Sequence, residues 1–262
     1  MMHRAVIFLA VILAGVFVRL HAQERVHSHN DYAHQTPFWD AYHAHVSSIE
    51  ADVFPVRGKL MVAHAKNAIT AGRTLDSLYL EPIVRLFQAN GNKTVSADTA
   101  YTFYLMIDIK ERWDRVLPVL IRRLERYPAC FDRTVNPMAV QVFISGDRPA
   151  DTTFHQYPPV ILFDGLPGVH YPAADLKKIV MISTDFSLYS HWEGKGAIPP
   201  GDAAKLHAVI QKAHHLKPRG GLPVRFWGAP DTPDCWATLR RLGADVINTD
   251  QVDVVSAFLH NH

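Results

Sequence analysis

The sequence predicts a single α/β domain, a (β/α)8 TIM barrel, somewhat irregular, with a β-hairpin arm after the second strand. Three observations predict it. Short β-branched runs alternate with amphipathic stretches of helical length from residue 25 to residue 259, the order expected of parallel strands joined by crossover helices. The chain has 262 residues, and such barrels take about 250 as one domain. Ionisable residues gather where the strands stop, and that rim is where a barrel carries its chemistry.

The elements follow in order. Residues 25–29 form the first strand, 38–45 a short helix and 48–53 the second strand. Arg57-Gly58 then turns the chain tightly into 60–64, the hairpin arm. The stretch 74–89 reads as a helix with Leu75, Leu78, Ile83, Leu86 and Phe87 on its apolar face. A strand at 101–109, a helix at 113–127 and a strand at 139–144 come next, the last ending in Ser145-Gly146-Asp147. Further strands are expected at 160–163, 180–183, 224–227 and 246–248, with helices at 203–216, 234–242 and 252–259. The fifth and sixth units are thin, because 164–178 is rich in Gly and Pro and has room for at most one short helix.

Residues 1–22 read as a signal peptide, and residues 23–262 as the barrel domain. Arg4 precedes an apolar run interrupted only by Gly15, and Leu20-His21-Ala22 offers a small residue for cleavage. The run is about 14 residues against the roughly 20 a membrane span needs. An exported protein, periplasmic or secreted, with no stable membrane insertion after cleavage, is therefore expected; an uncleaved anchor is the alternative. Cys130 and Cys235 would face an oxidising compartment, but their positions toward opposite ends of a barrel predict two unpaired thiols.

Composition excludes several classes. Hydrophobic residues make up 48% and charged residues 20%, which is ordinary for a globular protein and unlike a disordered chain or a coiled coil. Net charge is +2 with histidine neutral, and Lys and Arg do not cluster into a nucleic-acid groove. Arg122-Arg123 and Arg240-Arg241 read as solvated helix faces.

The strand-end residues are His29 and Asn30, Glu50 and Asp52, Asp108 and Lys110, Ser145, Asp164, Asp185, Trp227, and Asn248-Thr249-Asp250. Glu50 and Asp52 are two apart, so on a strand both point to one face. With Asp108 they form a set of oxygen ligands of the kind Mg²⁺ and Ca²⁺ prefer. Three acids held together without a cation would repel one another, so either a metal binds or at least one acid is protonated. Lys110 shares a strand face with Asp108 and can meet a phosphate as a point charge. His29 and His64 flank the set.

Each residue also has a plainer reading. His27 is assigned to the opposite side of its strand from His29, in the layer between strand and helix, with a structural role. Glu50, Asp52 and Lys110 could form a buried ion-pair network, and Trp227 could be ordinary core. Asp185 and Asp250 could serve only as helix caps. His34, His43, His45, His214 and His215 read as surface or locally bonded groups, and His260 and His262 as a frayed tail.

Six blocks carry a resemblance to a known family: His27-Ser28-His29-Asn30-Asp31-Tyr32, Glu50-Ala51-Asp52-Val53, Val62-Ala63-His64, the segment from Thr74 to Leu80, Met106-Ile107-Asp108-Ile109-Lys110, and Phe226-Trp227-Gly228 with Asn248-Thr249-Asp250. In this order they resemble the phosphatidylinositol-phospholipase-C-like phosphodiesterase superfamily, specifically the glycerophosphodiester phosphodiesterases of the branch typed by altered inheritance of mitochondria protein 6. The resemblance implies a metal-dependent phosphodiester hydrolase of lipid metabolism, acting on a glycerophosphodiester, phospholipid or related headgroup. It implies that His29 and His64 are the acid/base pair and that Glu50, Asp52 and Asp108 bind one divalent cation, Mg²⁺ or Ca²⁺. Asn30 and Lys110 would touch the phosphate, and Trp227 would wall the substrate pocket.

The chain departs from the family pattern at three points. His29-Asn30-Asp31 stands where these enzymes open with His-Arg-Gly, so an arginine that helps hold the phosphate is absent. Asp108 stands where Glu is frequent, and His64-Ala65 where His-Asp is. Two other readings stay open. His27-Ser28-His29 is formally a His-x-His metal pair, as in amidohydrolase or polymerase-and-histidinol-phosphatase barrels, although the late strand ends supply no histidine for one. The other is a barrel that binds phosphorylated headgroups without turnover.

Overall fold

The computed structural model describes residues 25–217 and 221–261; the expected signal peptide lies outside the described residues. Eight parallel strands close a barrel. In chain order they are β1 (Arg25–Ser28), β2 (Ser48–Val56), β4 (Tyr104–Ile109), β5 (Gln141–Gly146), β6 (Ile161–Gly165), β7 (Ile179–Asp185), β8 (Val224–Trp227) and β9 (Val246–Thr249), with β1 pairing both β2 and β9 to complete the ring. The antiparallel β3 (Lys59–Val62) is attached to β2 as the expected hairpin arm. Its turn is Arg57-Gly58, both with positive φ, the conformation that matches the twist of a two-residue hairpin.

Helices α1 (Trp39–His43), α2 (Glu81–Ala89), α3 (Trp113–Leu124), α4 (Pro128–Phe131), α5 (Ala173–Leu176), α6 (Pro200–His214), α7 (Pro233–Leu242) and α8 (Val252–Asn261) lie between or after the strands. The helix expected at 113–127 ends early because Pro128 opens a separate turn, α4; proline suits a first helical position and cannot continue a helix. The helix expected at 74–89 is split in character, with Asp76–Leu80 wound as a π-helix before α2 begins. Cys130 and Cys235 are buried free thiols on α4 and α7.

Strand periodicity divides the two faces of the wall. Ile49, Ala51 and Val53 of β2, Leu105, Ile107 and Ile109 of β4, and Val142 and Ile144 of β5 are buried in one apolar cluster with Leu117, Leu120 and Leu124 of α3 and Ile83 and Phe87 of α2. Each such fully buried Val, Leu, Ile or Phe side chain contributes about 1.5–3 kcal/mol. The alternate positions form a different set: Met106, Phe143 and Met181 make a separate small cluster. Two residues further along the same strands stand Asp108, Ser145 and Ser183, which line a cavity. The barrel interior therefore has an apolar floor and a polar mouth.

His27 belongs to this interior set, which corrects the expectation that it faces the helices. Residues two apart on a strand share a side, so His27 and His29 both point inward; the His27 ring is fully buried and bonds Ser48 and Glu50 of β2.

Gly146 closes β5 with φ +71°, and a Cβ there would collide with the Asp108 carboxylate and the Ile109 carbonyl. Gly146→Ala is expected to lower unfolding free energy by at least about 1 kcal/mol, the cost of a left-handed conformation for a residue with a Cβ. Denaturant unfolding of the two proteins at one pH measures it, and equal midpoints would contradict the reading.

Candidate active site

Neighbouring strands bring the acids together. β2 and β4 pair in parallel with Asp52 opposite Asp108, and Glu50 lies two residues before Asp52 on the same face. One carboxylate oxygen from each of the three lies within 4.8 Å of the others. Glu50 is the best compensated: its Oε2 lies 2.8 Å from His27 Nε2 and accepts from Arg225 Nη1 at 3.1 Å. Burial works against its charge, but the His27 hydrogen bond and the nearby Arg225 outweigh it and hold its pKa well below the usual range.

Asp52 has the opposite balance. Burial and the Glu50 charge push its pKa up to about 6, against the opposing pull of Lys110 and Tyr32. Burial also raises Asp108, again opposed by Lys110. Asp52 Oδ2 accepts from the Tyr32 hydroxyl at 2.7 Å and sits 2.8 Å from Lys110 Nζ, whereas Oδ1 is buried with no hydrogen-bond partner. A buried acceptor left unpaired costs about 1–3 kcal/mol. That orphaned oxygen, within a set of three hard carboxylate ligands, fits a divalent cation.

Two imidazoles stand beside this set. His29 Nδ1 lies 2.8 Å from Asp250 Oδ1, and its Nε2 is 3.9 Å from Glu50 Oε1. Burial alone would lower the His29 pKa, but the Asp250 hydrogen bond and the Glu50 and Asp250 charges raise it overall. His64 follows the hairpin arm and is 72% exposed; its Nδ1 is 3.1 Å from the Tyr32 hydroxyl and 3.4 Å from Asp52 Oδ2. Lys110 Nζ reaches Asp52 at 2.8 Å and Asp108 at 3.4 Å, and burial notwithstanding, those two carboxylates raise its pKa.

His29, Asn30, Glu50, His64, Asp108, Lys110 and Trp227 all line one cavity of about 460 Å³ at the carboxyl ends of the strands. Asp52 lies beside it, joined through Lys110 and Tyr32. Trp227 is 41% exposed, so it is a wall of the cavity rather than core. Asp185 caps a single helical turn by accepting from the Ser187 amide. Asp250 instead spends its carboxylate on His29 and Asn30. Both nitrogens of His27 are taken up by protein partners, Nδ1 by Ser48 and Nε2 by Glu50 and Arg225, whereas His29 is held at Nδ1 by Asp250.

Sequence reasoning gave no role to Tyr32, Arg225 or Arg148 and did not pair Asp250, a strand-end residue, with His29. Arg225 left a signal, a lone cation within the apolar run Val224-Arg225-Phe226-Trp227; it is 3% exposed in the barrel interior. Burial and Arg225 together lower His27 to about 4, so that its ring is neutral beside the guanidinium at neutral pH.

Two family models match the chain. Residues 17–158 match the AIM6-like phosphodiesterase domain, and residues 223–253 match the glycerophosphoryl diester phosphodiesterase family. The chain is similar to altered inheritance of mitochondria protein 6 homolog of Arthroderma benhamiae, 28% identical over 267 residues that cover 89% of this chain and 83% of that protein. It is also similar to altered inheritance of mitochondria protein 6 of Eremothecium gossypii, 26% identical over 89% of this chain and 69% of the relative, and of Saccharomyces cerevisiae, 24% identical over 89% and 70%.

The His29–Asp250 pair is testable without a substrate. Asp250→Asn is expected to lower the His29 pKa, followed by ring-proton NMR titration, because the mutation removes a carboxylate that favours the imidazolium. The stabilisation from this pair should be present below the unfolded histidine value of about 6.5 and fade as pH rises through the folded value. An unchanged His29 titration would contradict the pairing.

Proposed function

From the membership of this chain in the AIM6-like phosphodiesterase family, whose domain spans more than half of it, we propose that it is a metal-dependent phosphodiester hydrolase of the glycerophosphodiester phosphodiesterase kind. The observation that carries the reading is the carboxylate trio with its orphaned Asp52 oxygen, set between two imidazoles in one cavity. The proposed substrates are a glycerophosphodiester, a phospholipid or a related headgroup, met outside the cytoplasm if residues 1–22 direct export.

Glu50, Asp52 and Asp108 would hold one Mg²⁺ or Ca²⁺. Bound there, such a cation supplies Lewis-acid polarisation of a phosphoryl oxygen and offsets its growing negative charge. The protein's own groups do the rest. Lys110 carries a positive charge at the cavity wall and stabilises the same charge build-up where water is partly excluded. Asn30, whose amide is turned to His29 and Asp250, orients the His29 ring beside the phosphate. With Nδ1 of His29 held by Asp250, Nε2 is the atom free to exchange a proton; His64 Nδ1 is held by Tyr32 and Asp52, which leaves its Nε2 for the same task. One imidazole takes the proton of the attacking oxygen and the other returns one to the leaving alkoxide, the general acid–base work for which imidazole is suited.

Hydrolysis of an aryl phosphodiester is expected to need a divalent cation, to stop with chelator and to fall 10²–10⁴-fold in His29→Ala, the usual range for a lost acid/base group. Equal rates for wild type and His29→Ala would refute the assignment. The acids add a pH signature. With Asp52 raised to about 6 and Asp108 also raised, these two carboxyls hold more protons in the cation-free fold than in the unfolded chain between roughly pH 4 and 6, so their own contribution to stability falls as pH rises through that window, while His27, lowered to about 4, acts in the opposite sense. A cation competes with those protons. Added Mg²⁺ or Ca²⁺ should therefore raise the melting temperature more at pH 7 than at pH 5, and no cation effect at either pH would overturn the metal assignment.

A further inference from the structure

The barrel has a second mouth, at the amino ends of its strands, where Arg25, Tyr104 and Val246 open β1, β4 and β9 around a cavity of about 350 Å³. Arg25, His45 and Arg133 line this cavity, and no carboxylate does. Neither arginine has an ion-pair partner among the described residues. Arg133, which follows α4, is held in place before any ligand arrives. Its Nε donates to the Ala139 carbonyl at 3.0 Å and its guanidinium carbon lies 5.5 Å over the Tyr104 ring, which leaves both Nη groups to bond a ligand. The ordering cost of a long side chain is thus met by the fold rather than by binding. His45 follows α1 at φ +53°, a helix-ending position where glycine is usual, so its ring is kept there at a conformational cost. That ring lies flat on Tyr101, centroids 4.3 Å and planes 7° apart, and Tyr101 is anchored through its hydroxyl to the Val46 carbonyl. The edge of the imidazole makes no hydrogen bond among the described residues.

The chemistry of this mouth selects among ligands. The starts of β7 to β9 bring it Val180, Met181, Pro223 and Val246, so an apolar surface joins the cationic one. A metal cation would meet two guanidinium groups and no charged oxygen. A neutral apolar molecule would cover both arginines without bonding either, which costs desolvation with no return. A bare inorganic anion would bond the cationic groups and leave the apolar ones uncovered. A carboxylate brings one charge and two oxygens. An organic phosphomonoester answers both surfaces: its phosphate carries close to two negative charges and three strong acceptor oxygens, enough for a two-pronged bond from Arg133 and charge-assisted bonds from Arg25 and His45, while its organic group packs on the apolar residues.

We propose that Arg25, His45 and Arg133, with the apolar starts of β7 to β9, form a binding site for an organic phosphomonoester at the amino-terminal mouth of the barrel. The site is separate from the cavity that holds the acids and histidines, and the inference does not depend on the hydrolase reading. Arg25 and His45 are exposed, so their share of the binding is screened by salt, and affinity falls as ionic strength rises.

Calorimetry on the full-length protein, without added divalent cation, compares phenyl phosphate, inorganic phosphate and benzoate. Phenyl phosphate should bind wild type at one site, and its affinity should fall about tenfold or more in Arg133→Met and about threefold in Arg25→Met, the scale of lost bonds to a charged group. Arg133→Lys, which keeps the charge and loses the two-pronged geometry, should also bind more weakly than wild type. Arg148→Met, which removes a cation from the other cavity, should leave the affinity unchanged. Inorganic phosphate and benzoate should each bind wild type about tenfold more weakly than phenyl phosphate, one lacking the apolar group and the other the second charge. Thermal melts identify any variant that fails to fold, and Arg25→Met, at an exposed strand start, decides the matter if Arg133→Met does not fold. Absence of phenyl phosphate binding, an affinity that the folded arginine variants leave unchanged, or a loss that Arg148→Met reproduces overturns the site. Inorganic phosphate or benzoate binding as tightly as phenyl phosphate overturns the ligand class.

Discussion

Three carboxylates with oxygens within 4.8 Å of one another can share the mouth of a barrel only if the fold brings opposite charge to them, and the rest of the site follows from how it does so. Arg225 reaches across from β8 to Glu50, with His27 between them, and Lys110 reaches Asp52 and Asp108 from the end of β4. The compensation is uneven. Glu50 receives a buried guanidinium and an imidazole and stays firmly ionised, whereas Asp52 receives its ammonium at one oxygen and keeps the other bare. Removing one partner of such a buried set leaves a charge uncompensated and costs about 3–5 kcal/mol, so Arg225 supports the fold of the mouth as much as its electrostatics. The uneven split leaves the trio one well-compensated anion and two acids whose pKa burial raises.

The same division runs along the barrel axis. Met106, Phe143 and Met181 close the lower interior with apolar volume, so the polar layer above them is not flooded from below. The outward positions of the same strands pack against helices, and stability is drawn from that layer while the mouth is left free for charge. Gly146 marks where the two demands meet, since β5 must pass close to the Asp108 carboxylate.

What could be read from the amino-acid order and what could not divide by the range of the interaction. Strand positions, the Arg57-Gly58 turn and the shared face of Glu50 and Asp52 depend on neighbours one to a few residues apart, and the barrel follows from their alternation. The partners of those residues do not. Arg225 meets Glu50 across 175 positions and Asp250 meets His29 across 221, and strand periodicity carries no information about which strand will face which across a closed ring. Tyr32 was quoted within a motif without a role, yet its hydroxyl lies 2.6 Å from Asn30 Oδ1, 2.7 Å from Asp52 and 3.1 Å from His64. His27 is a different case: two residues along a strand return to the same side, so local periodicity alone places it inward with His29.

The change of His-Arg-Gly to His29-Asn30-Asp31 can now be explained by backbone and charge together. Asn30 sits at φ 47°, ψ 33°, the left-handed region that Asn tolerates better than most residues, so the chain turns sharply as it leaves β1. Its side chain bridges rather than projects: Nδ2 is 3.0 Å from His29 Nδ1 and 3.4 Å from Asp250, and Oδ1 faces Tyr32. Asp31 turns away from the cavity altogether, bonding Ser28, Tyr79 and the Phe38 amide from a fully buried position. A motif that elsewhere delivers a cation to the phosphate here fixes the ring of His29 and the start of α1. The positive charge facing the cavity falls instead to Lys110 beside the acids and Arg148 on the far wall. In the proposed reaction this moves charge complementarity from the entrance strand to the opposite rim.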